Sequence, residues 1–343
     1  MTPSTLDRAS LENEVERLEK RGLGLLGYDE ASLWLLAEKT LKINQLKKAK
    51  NAVIPAHVYQ RPEIIHGIAD FTGDSYRLSK LCAGTEASTI IFCGVRFMAE
   101  TAKIMSPEKT VILPAIEAGC SLAESIAAED VRKLKAQYPN IPVVTYINTN
   151  ADVKAESDVI VTSANAKKIL ERLYKEHKKI IFLPDTLMGK NLAKELGKKI
   201  PEEMIIWEGT CVVHENFDES SIEPYRKMYP GVKILAHSEC TPGLVSLVDF
   251  IGGTGDMLRY VESTEAPSYM LVTECGLGDL ARTQYPDKKF IPMCRLCPYM
   301  KSIDLDHVEK ALENPDSNQI IEVSEEIRVK AKRALEAMFA LSA

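Results

Sequence analysis

The sequence contains no apolar stretch approaching the ~20 residues that a membrane-spanning helix needs. It has no polybasic run of the kind that tracks nucleic acid. Lys47-Lys48-Ala-Lys50 and Lys178-Lys179 are short and read as solvated faces. The N-terminus, Met1-Thr-Pro-Ser-Thr-Leu-Asp7, lacks the basic and apolar regions of a signal peptide. A tetrahedral zinc site usually draws on two close cysteine pairs. Cys294-Arg-Leu-Cys297 is one such pair, and no second pair complements it. These absences point to a cytoplasmic protein with no membrane or nucleic-acid partner. An anionic small molecule stays compatible with the net charge of −6, through local fields.

The 343 residues, 45% of them hydrophobic, suffice for a buried core and for two or three domains. Eight cysteines in a reducing compartment are expected to be buried, metal-binding or catalytic rather than a disulfide framework. One stands out. Val111-Ile-Leu113 reads as a short buried strand, Gly119 as a turn, and a helical pattern starts at Leu122. Cys120 is thus expected near a helix N-terminus, where partial positive charge favours a thiolate. The arrangement returns in Met204-Ile-Ile-Trp-Glu-Gly-Thr-Cys211 and in Phe290-Ile-Pro-Met-Cys-Arg-Leu-Cys297, at intervals of 91 and 86 residues.

A second landmark keeps the same period. Ala52-Val-Ile-Pro-Ala-His57-Val-Tyr59, Pro142-Val-Val-Thr-Tyr146-Ile-Asn148 and Val232-Lys-Ile-Leu-Ala-His237-Ser-Glu239 are short strands. Each ends in a ring, with a polar residue two positions on, at spacings of 89 and 91 residues. In extended chain, residues i and i+2 lie on one side, so each pair faces one place. Each module continues into a further strand and polar turn: Ser88–Gly94, Asp158–Ser163 and Asp249–Thr254.

A period near 90 residues suits one small α/β domain rather than a solenoid repeat. The expected fold is therefore α/β, with short parallel sheets in three similar three-layer α/β/α domains in pseudo-threefold arrangement. The boundaries are 49–137, 138–228 and 229–343, the last carrying C-terminal helices, after an N-terminal helical extension over 1–48. In that extension Leu11, Val15 and Leu18, then Leu33, Leu36 and Leu41, keep helical spacing. A single large Rossmann-like domain is the competing reading. Ligands of such sheets bind at the carboxyl ends of the strands, which three modules would aim at one axis.

Three thiolates converging on that axis would make a soft metal site. An iron–sulfur cluster of four irons held by three cysteines leaves one iron open as a Lewis acid. Cys82, Cys93, Cys240 and Cys275 read as core packing. His66 and His177 read as surface. Phe97 and Met98 read as pocket wall, and Asp185 as a cap.

Nine ordered motifs carry a resemblance. They are His57-x-Tyr59-Gln60-x-Pro-Glu63, Gly73-Asp-Ser75, Phe97-Met-Ala-Glu100-Thr-Ala-Lys103, Glu117-Ala-Gly-Cys120, Tyr146-Ile-Asn148-Thr, Thr162-Ser-Ala-Asn165-Ala, Gly209-Thr-Cys-Val-Val-His214, His237-Ser-Glu-Cys240 and Cys297-Pro-Tyr-Met-Lys301. From about residue 50 to 310 the chain resembles the quinolinate synthase (NadA) family of NAD biosynthesis. The resemblance implies a transferase that condenses iminoaspartate with dihydroxyacetone phosphate, and a 4Fe-4S cluster at the centre of three similar α/β domains. It implies Cys120, Cys211 and Cys297 as cluster ligands. His57, Ser75, Tyr146, Asn148, Ser163, His237, Glu239 and Thr254 fall on substrate-contacting positions, and Tyr59 and His214 line the same pocket. It further implies transient hand-over of unstable iminoaspartate from an L-aspartate oxidase or dehydrogenase.

The chain departs from the family in three places. The usual His-Pro-Glu-Cys reads His237-Ser-Glu-Cys240. The Gly-Ser-Thr-Ser turn reads Gly252-Gly-Thr-Gly255. Ile291 replaces the first cysteine of a Cys-x2-Cys-x2-Cys run, so the disulfide of the two non-ligand cysteines of that run is not expected. Tyr59, His237 and Glu239 are the candidates for moving protons. Read singly, His57 and His237 fit buried structural histidines, Tyr146 a core residue and Glu239 a cap. A cluster-dependent hydro-lyase and a zinc or redox-sensing module are the competing functions.

Overall fold

The computed structural model describes residues 7–342. Residues 1–6, which hold most of the segment read for a signal peptide and the start of the 1–48 extension, and residue 343 lie outside it. Two helices open the described chain. Arg8–Lys20 is capped by Asp7, whose carboxylate accepts the Ser10 N–H. Glu30–Ala49 is capped in the same way by Asp29 through Ser32. A short 3-10 turn, Leu23–Leu26, joins them between Gly22 and Gly27, whose φ values of +90° and +94° suit glycine. Leu18, Leu23, Leu33 and Ala37 bury the seam between the helices.

The remaining chain builds three parallel sheets. The first uses β1 (Ala52–Val53), β2 (Pro55–His57), β3 (Phe71–Gly73), β4 (Thr89–Ile91) and β5 (Thr110–Ile112). The second uses β6 (Val143–Tyr146), β7 (Val159–Val161), β8 (Ile180–Leu183) and β9 (Met204–Ile206). The third uses β10 (Lys233–His237), β11 (Phe250–Gly252), β12 (Tyr269–Glu274), β13 (Phe290–Ile291) and β14 (Cys294–Arg295).

Strand order repeats. The second sheet runs β7-β6-β8-β9 and the third β11-β10-β12-β13. In the first, β3 pairs with β2 and β1 with β4, which pairs in turn with β5. A bridge from Ala56 to Cys93 ties the two pieces together. If β1 and β2 count as one interrupted strand, each module is ordered second-first-third-fourth. Every pairing between these strands is parallel, and β2, β6, β7, β8 and β12 are buried along their whole length. This is why they read as continuous apolar runs rather than alternating ones.

The expectation of an α/β fold with short parallel sheets, flanking helices and an N-terminal helical extension is met. The C-terminal helix Glu325–Ser342 turns back onto the second module, against Ala151–Ala155, β7 and Ala166–Leu173. The helix Leu305–Glu313 lies on Glu30–Ala49, with Lys39 paired to Asp306 and Lys42 to Glu309. Among the described residues no helix is long and apolar enough to cross a membrane.

Three sequence expectations are corrected. Lys47 is not on a solvated face. The first module covers it, and its ammonium donates to Ile68 O (2.9 Å) and Asp70 Oδ1 (2.8 Å). His66 is buried under the N-terminal helices, where Thr283 Oγ1 reaches its Nε2 at 3.3 Å. Cys275 is not a packed thiol but is disulfide-bonded to Cys294. The register that sets Thr273 opposite Cys294 brings the two Cα atoms to 4.8 Å, a closeness that a sequence separation of 19 does not reveal.

Gly276 shows how tightly the third module meets the first. A Cβ there would lie 2.8 Å from both Cα and C of Tyr59, which are backbone atoms that cannot swing aside. Gly276→Ala is expected to destabilise by about 1–3 kcal/mol through overpacking, visible as a lower Tm, and to displace Tyr59. An unchanged Tm would mean that the contact is soft.

Candidate functional site

The strands beginning each module end at one place. His57, Tyr146 and His237 close β2, β6 and β10. Each is followed two positions on by Tyr59, Asn148 and Glu239. The second strand of each module leads to the start of a helix: Ser75–Gly84 after β3, Ala166–Leu173 after β7 and Thr254–Ser263 after β11. Ser75 and Thr254 open their helices, where unpaired N–H groups and helix dipoles favour anions, and Ser163 lies in the turn just before the Asn165 cap. The modules touch there, since a Cβ on Gly253 would lie 2.5 Å from Ser163 Oγ.

All thirteen residues singled out by sequence line one cavity: His57, Tyr59, Ser75, Tyr146, Asn148, Ser163, His214, His237, Glu239, Thr254, Cys120, Cys211 and Cys297. Phe97 and Met98 are in its wall, as expected. Its free volume of about 70 Å³ holds roughly five to seven waters, which suits a small molecule rather than a polymer.

The three cysteines are free, and each occupies the same turn. The carbonyl of Cys120 accepts the N–H of Glu124 (3.0 Å), that of Cys211 the N–H of Glu215 (3.0 Å), and that of Cys297 the N–H of Lys301 (3.1 Å). Each sulfur accepts the amides two and three positions on: Leu122 and Ala123, Val213 and His214, Tyr299 and Met300. Cys120 was expected at an α-helix N-terminus. Instead a 3-10 turn, Ala123–Ser125, follows it, and the next α-helix begins at Ala128.

Burial outweighs those amides. It pushes the Cys120 thiol up to about 12, Cys211 well above the usual thiol range, and Cys297 up as well. A thiolate-binding metal would therefore displace protons on entry. Three like soft donors, one from each module and each in an amide cradle, fit a three-ligand cluster. The donor set lacks the paired ligands of structural zinc.

Beside the sulfurs runs a chain of hydrogen bonds. The Glu239 carboxylate, buried at 2% exposure, accepts Tyr146 O–H at 2.5 Å and faces His214 Nδ1 at 3.0 Å. His214 Nε2 faces Thr273 Oγ1 at 3.0 Å, and Thr273 Oγ1 lies 2.6 Å from Tyr59 O–H. An ionised carboxylate only accepts, so His214 donates through Nδ1. Its Nε2 then accepts from Thr273, which accepts from Tyr59. Burial raises the Glu239 carboxyl, but the neighbouring His214 and His237 rings and the hydrogen bonds from His214 and Tyr146 outweigh it. The net shift is downward and the group is ionised. Burial holds the Tyr59 and Tyr146 hydroxyls well above their usual range, so both are neutral donors. A donor on Cys211, His214 and Glu239 can each be found within 4.8 Å of the others, which sets this chain against the Cys211 sulfur.

The two strand-ending histidines share one tautomer. His57 Nδ1 accepts the Tyr59 N–H (3.2 Å) and His237 Nδ1 the Glu239 N–H (3.4 Å), leaving Nε2–H as donor on each ring. Burial lowers the His57 ring to about 3, helped by His237 and Lys301, and the His237 ring to about 4. Both are neutral donors near pH 7.

Sequence reading missed Thr273 and Glu274. Thr273 completes the chain from Tyr59 to His214. Glu274 accepts the Cys297 N–H (3.2 Å) and the Gly276 N–H (2.6 Å), and pairs with Lys301 (3.2 Å), fixing the third cysteine turn. Both sit at the end of a fully buried strand, with no pattern to mark them. Asp185 caps the helix Thr186–Glu195 through the Met188 N–H (2.7 Å) and does not line the cavity.

The family model for the quinolinate synthetase A protein (NadA) matches residues 41–340. Quinolinate synthase 2 of Mesorhizobium japonicum is 46% identical over 299 residues, covering 87% of this chain and 90% of that protein. Quinolinate synthase of Xylella fastidiosa (strain 9a5c) is 47% identical over 299 residues, 87% of this chain and 86% of the relative. Quinolinate synthase of Caulobacter vibrioides is 42% identical over 303 residues, 88% and 81%. A match over nearly the whole chain, with relatives aligned over most of their own length, means that this protein belongs to the quinolinate synthetase A (NadA) family.

Proposed function

We propose that the chain is a quinolinate synthase. It joins iminoaspartate to dihydroxyacetone phosphate and releases quinolinate, phosphate and two waters, as a step of de novo NAD biosynthesis in the cytoplasm. The observation that carries this reading is the meeting of three like cysteine turns with a buried chain of hydrogen bonds in one small cavity.

Cys120, Cys211 and Cys297 would hold a 4Fe-4S cluster, whose remaining iron, free of protein ligands, supplies a Lewis acid. The chain's own residues bind and move protons. Ser75 and Thr254 at their helix starts, Ser163 just before its helix, the Asn148 amide, and the Nε2–H groups of His57 and His237 are the donors for carboxylate and phosphate oxygens. Tyr59 takes a proton at its hydroxyl while passing its own to Thr273, Thr273 passes its own to His214 Nε2, and Glu239 stabilises the imidazolium so formed; the reverse relay returns the proton and restores the neutral ring. Tyr146 holds the other oxygen of Glu239. Burial of Glu239, His214 and Thr273 keeps bulk water from short-circuiting the chain. Because an imine hydrolyses in water, hand-over from an L-aspartate oxidase or dehydrogenase fits the chemistry.

The test is an anaerobic assay supplying both substrates to iron- and sulfide-loaded protein, with quinolinate read by chromatography. Quinolinate formation is expected. Loaded protein that forms none, yet dehydrates another hydroxy acid, would favour the hydro-lyase reading. Tyr59→Phe removes the mouth of the proton chain and leaves the carboxylate donors. It is expected to lower kcat about 100-fold or more with KM little changed. A kcat within threefold of wild type would exclude Tyr59 from proton transfer.

A further inference from the structure

Lys154, on the short helix Ala151–Ala155, has no exposed surface, an unusual place for an ammonium. Among the described residues its one hydrogen-bond acceptor is the carbonyl of Thr149, and the ring of Phe97 lies 5.3 Å from its nitrogen. Among the described residues no carboxylate pairs with it. Glu100, on the facing helix Arg96–Met105, is committed to the Ala151 N–H (2.8 Å) and to Arg96 (3.1 Å). Asp152 accepts the Val153 N–H (2.9 Å). A buried unpaired charge costs folding stability, so its retention points to function.

The groups that Lys154 touches border the cavity. Thr149 ends the turn that begins at Tyr146 and carries Asn148. Its N–H donates to Ile147 O (2.8 Å) and its hydroxyl to Tyr146 O (3.3 Å). Phe97 is a cavity wall contributed by the first module.

We infer that Lys154 is a positioning residue, whose ammonium clamps the Tyr146–Thr149 turn against Phe97 and so holds Asn148 where a substrate carboxylate is received. The inference rests on the synthase reading for the identity of that carboxylate. Burial pushes the lysine down to about 7, against the pull of Glu100, Asp152 and Cys120. Its own position is therefore costly to the fold, a cost that would be removed with the charge.

Lys154→Met separates positioning from packing. Its length and apolar stem fill the space without the charge. For cluster-loaded wild type and variant, we would measure calorimetric affinity for quinolinate, KM and kcat, and Tm. Positioning predicts affinity lowered on the order of tenfold and KM raised with kcat nearly held, at a Tm equal to or above wild type. Unchanged affinity overturns the inference. So does a Tm well below wild type, since the lysine would then be a packing element. A wild-type protein that binds no quinolinate would instead overturn the synthase reading and the inference resting on it.

Discussion

Replacing Glu239 by glutamine is expected to lower kcat about 10²–10³-fold while leaving the iron content intact. The carboxylate accepts from Tyr146 at 2.5 Å and from His214 at 3.0 Å, and all three groups are buried. Glutamine offers one oxygen and two N–H groups, so it can serve only one of those donors. If its oxygen stays on Tyr146, its amide N–H confronts His214 Nδ1 and forces the ring to the other tautomer. Nε2 then carries a hydrogen toward Thr273, and the donor order from Tyr59 reverses. The imidazolium also loses its counter-charge. A wrong tautomer without gross movement is the mechanism by which amide-for-carboxylate changes cost orders of magnitude in acid–base sites. Because the substituted groups remain hydrogen-bonded in part, the stability cost is about 1–3 kcal/mol. Steady-state kinetics on cluster-loaded variant protein decides it. A kcat within threefold of wild type would show that the chain from Tyr59 to Glu239 is a structural network.

The second large effect concerns the three cysteines. Serine at Cys120, Cys211 or Cys297 is expected to reduce turnover by at least about 10³-fold, and to do so equally at all three. Equality follows from geometry, since each sulfur sits in the same turn and receives the amides two and three positions on. Serine keeps those hydrogen bonds but offers a hard, hardly ionised oxygen in place of a thiolate. Alanine at Cys82 or Cys93, which are buried in the first module, is the control. Each loses some packing, and activity per folded molecule should stay near wild type. A cysteine among the three whose serine variant keeps turnover would break the threefold equivalence.

The parts of this site that sequence exposed are those with a period. Strand alternation put His57 with Tyr59, and His237 with Glu239, on one side of the chain. The fold adds that the second residue's N–H meets the first residue's Nδ1, setting the tautomer. Ser163 and Thr254 lay in the strand-then-turn segments that recur with the period, whereas Ser75 was marked only by the family resemblance. What stayed hidden depends on neighbours distant in the chain. Thr273 looks like any strand threonine until β12 is placed beside His214. Cys275 meets Cys294 only through the β12–β14 register. Lys47, His66 and Lys154 were invisible as buried groups because a polar side chain in isolation is more often solvated. The shared second-first-third-fourth strand order could not be read at all, since strand pairing is non-local.

Iron and acid-labile sulfide analysis of anaerobically purified wild-type protein tests the central claim most directly. The account predicts about four irons and four sulfides per chain, in a brown protein. Stoichiometric zinc without sulfide would contradict it, and the proposed dehydration chemistry would fall with the cluster.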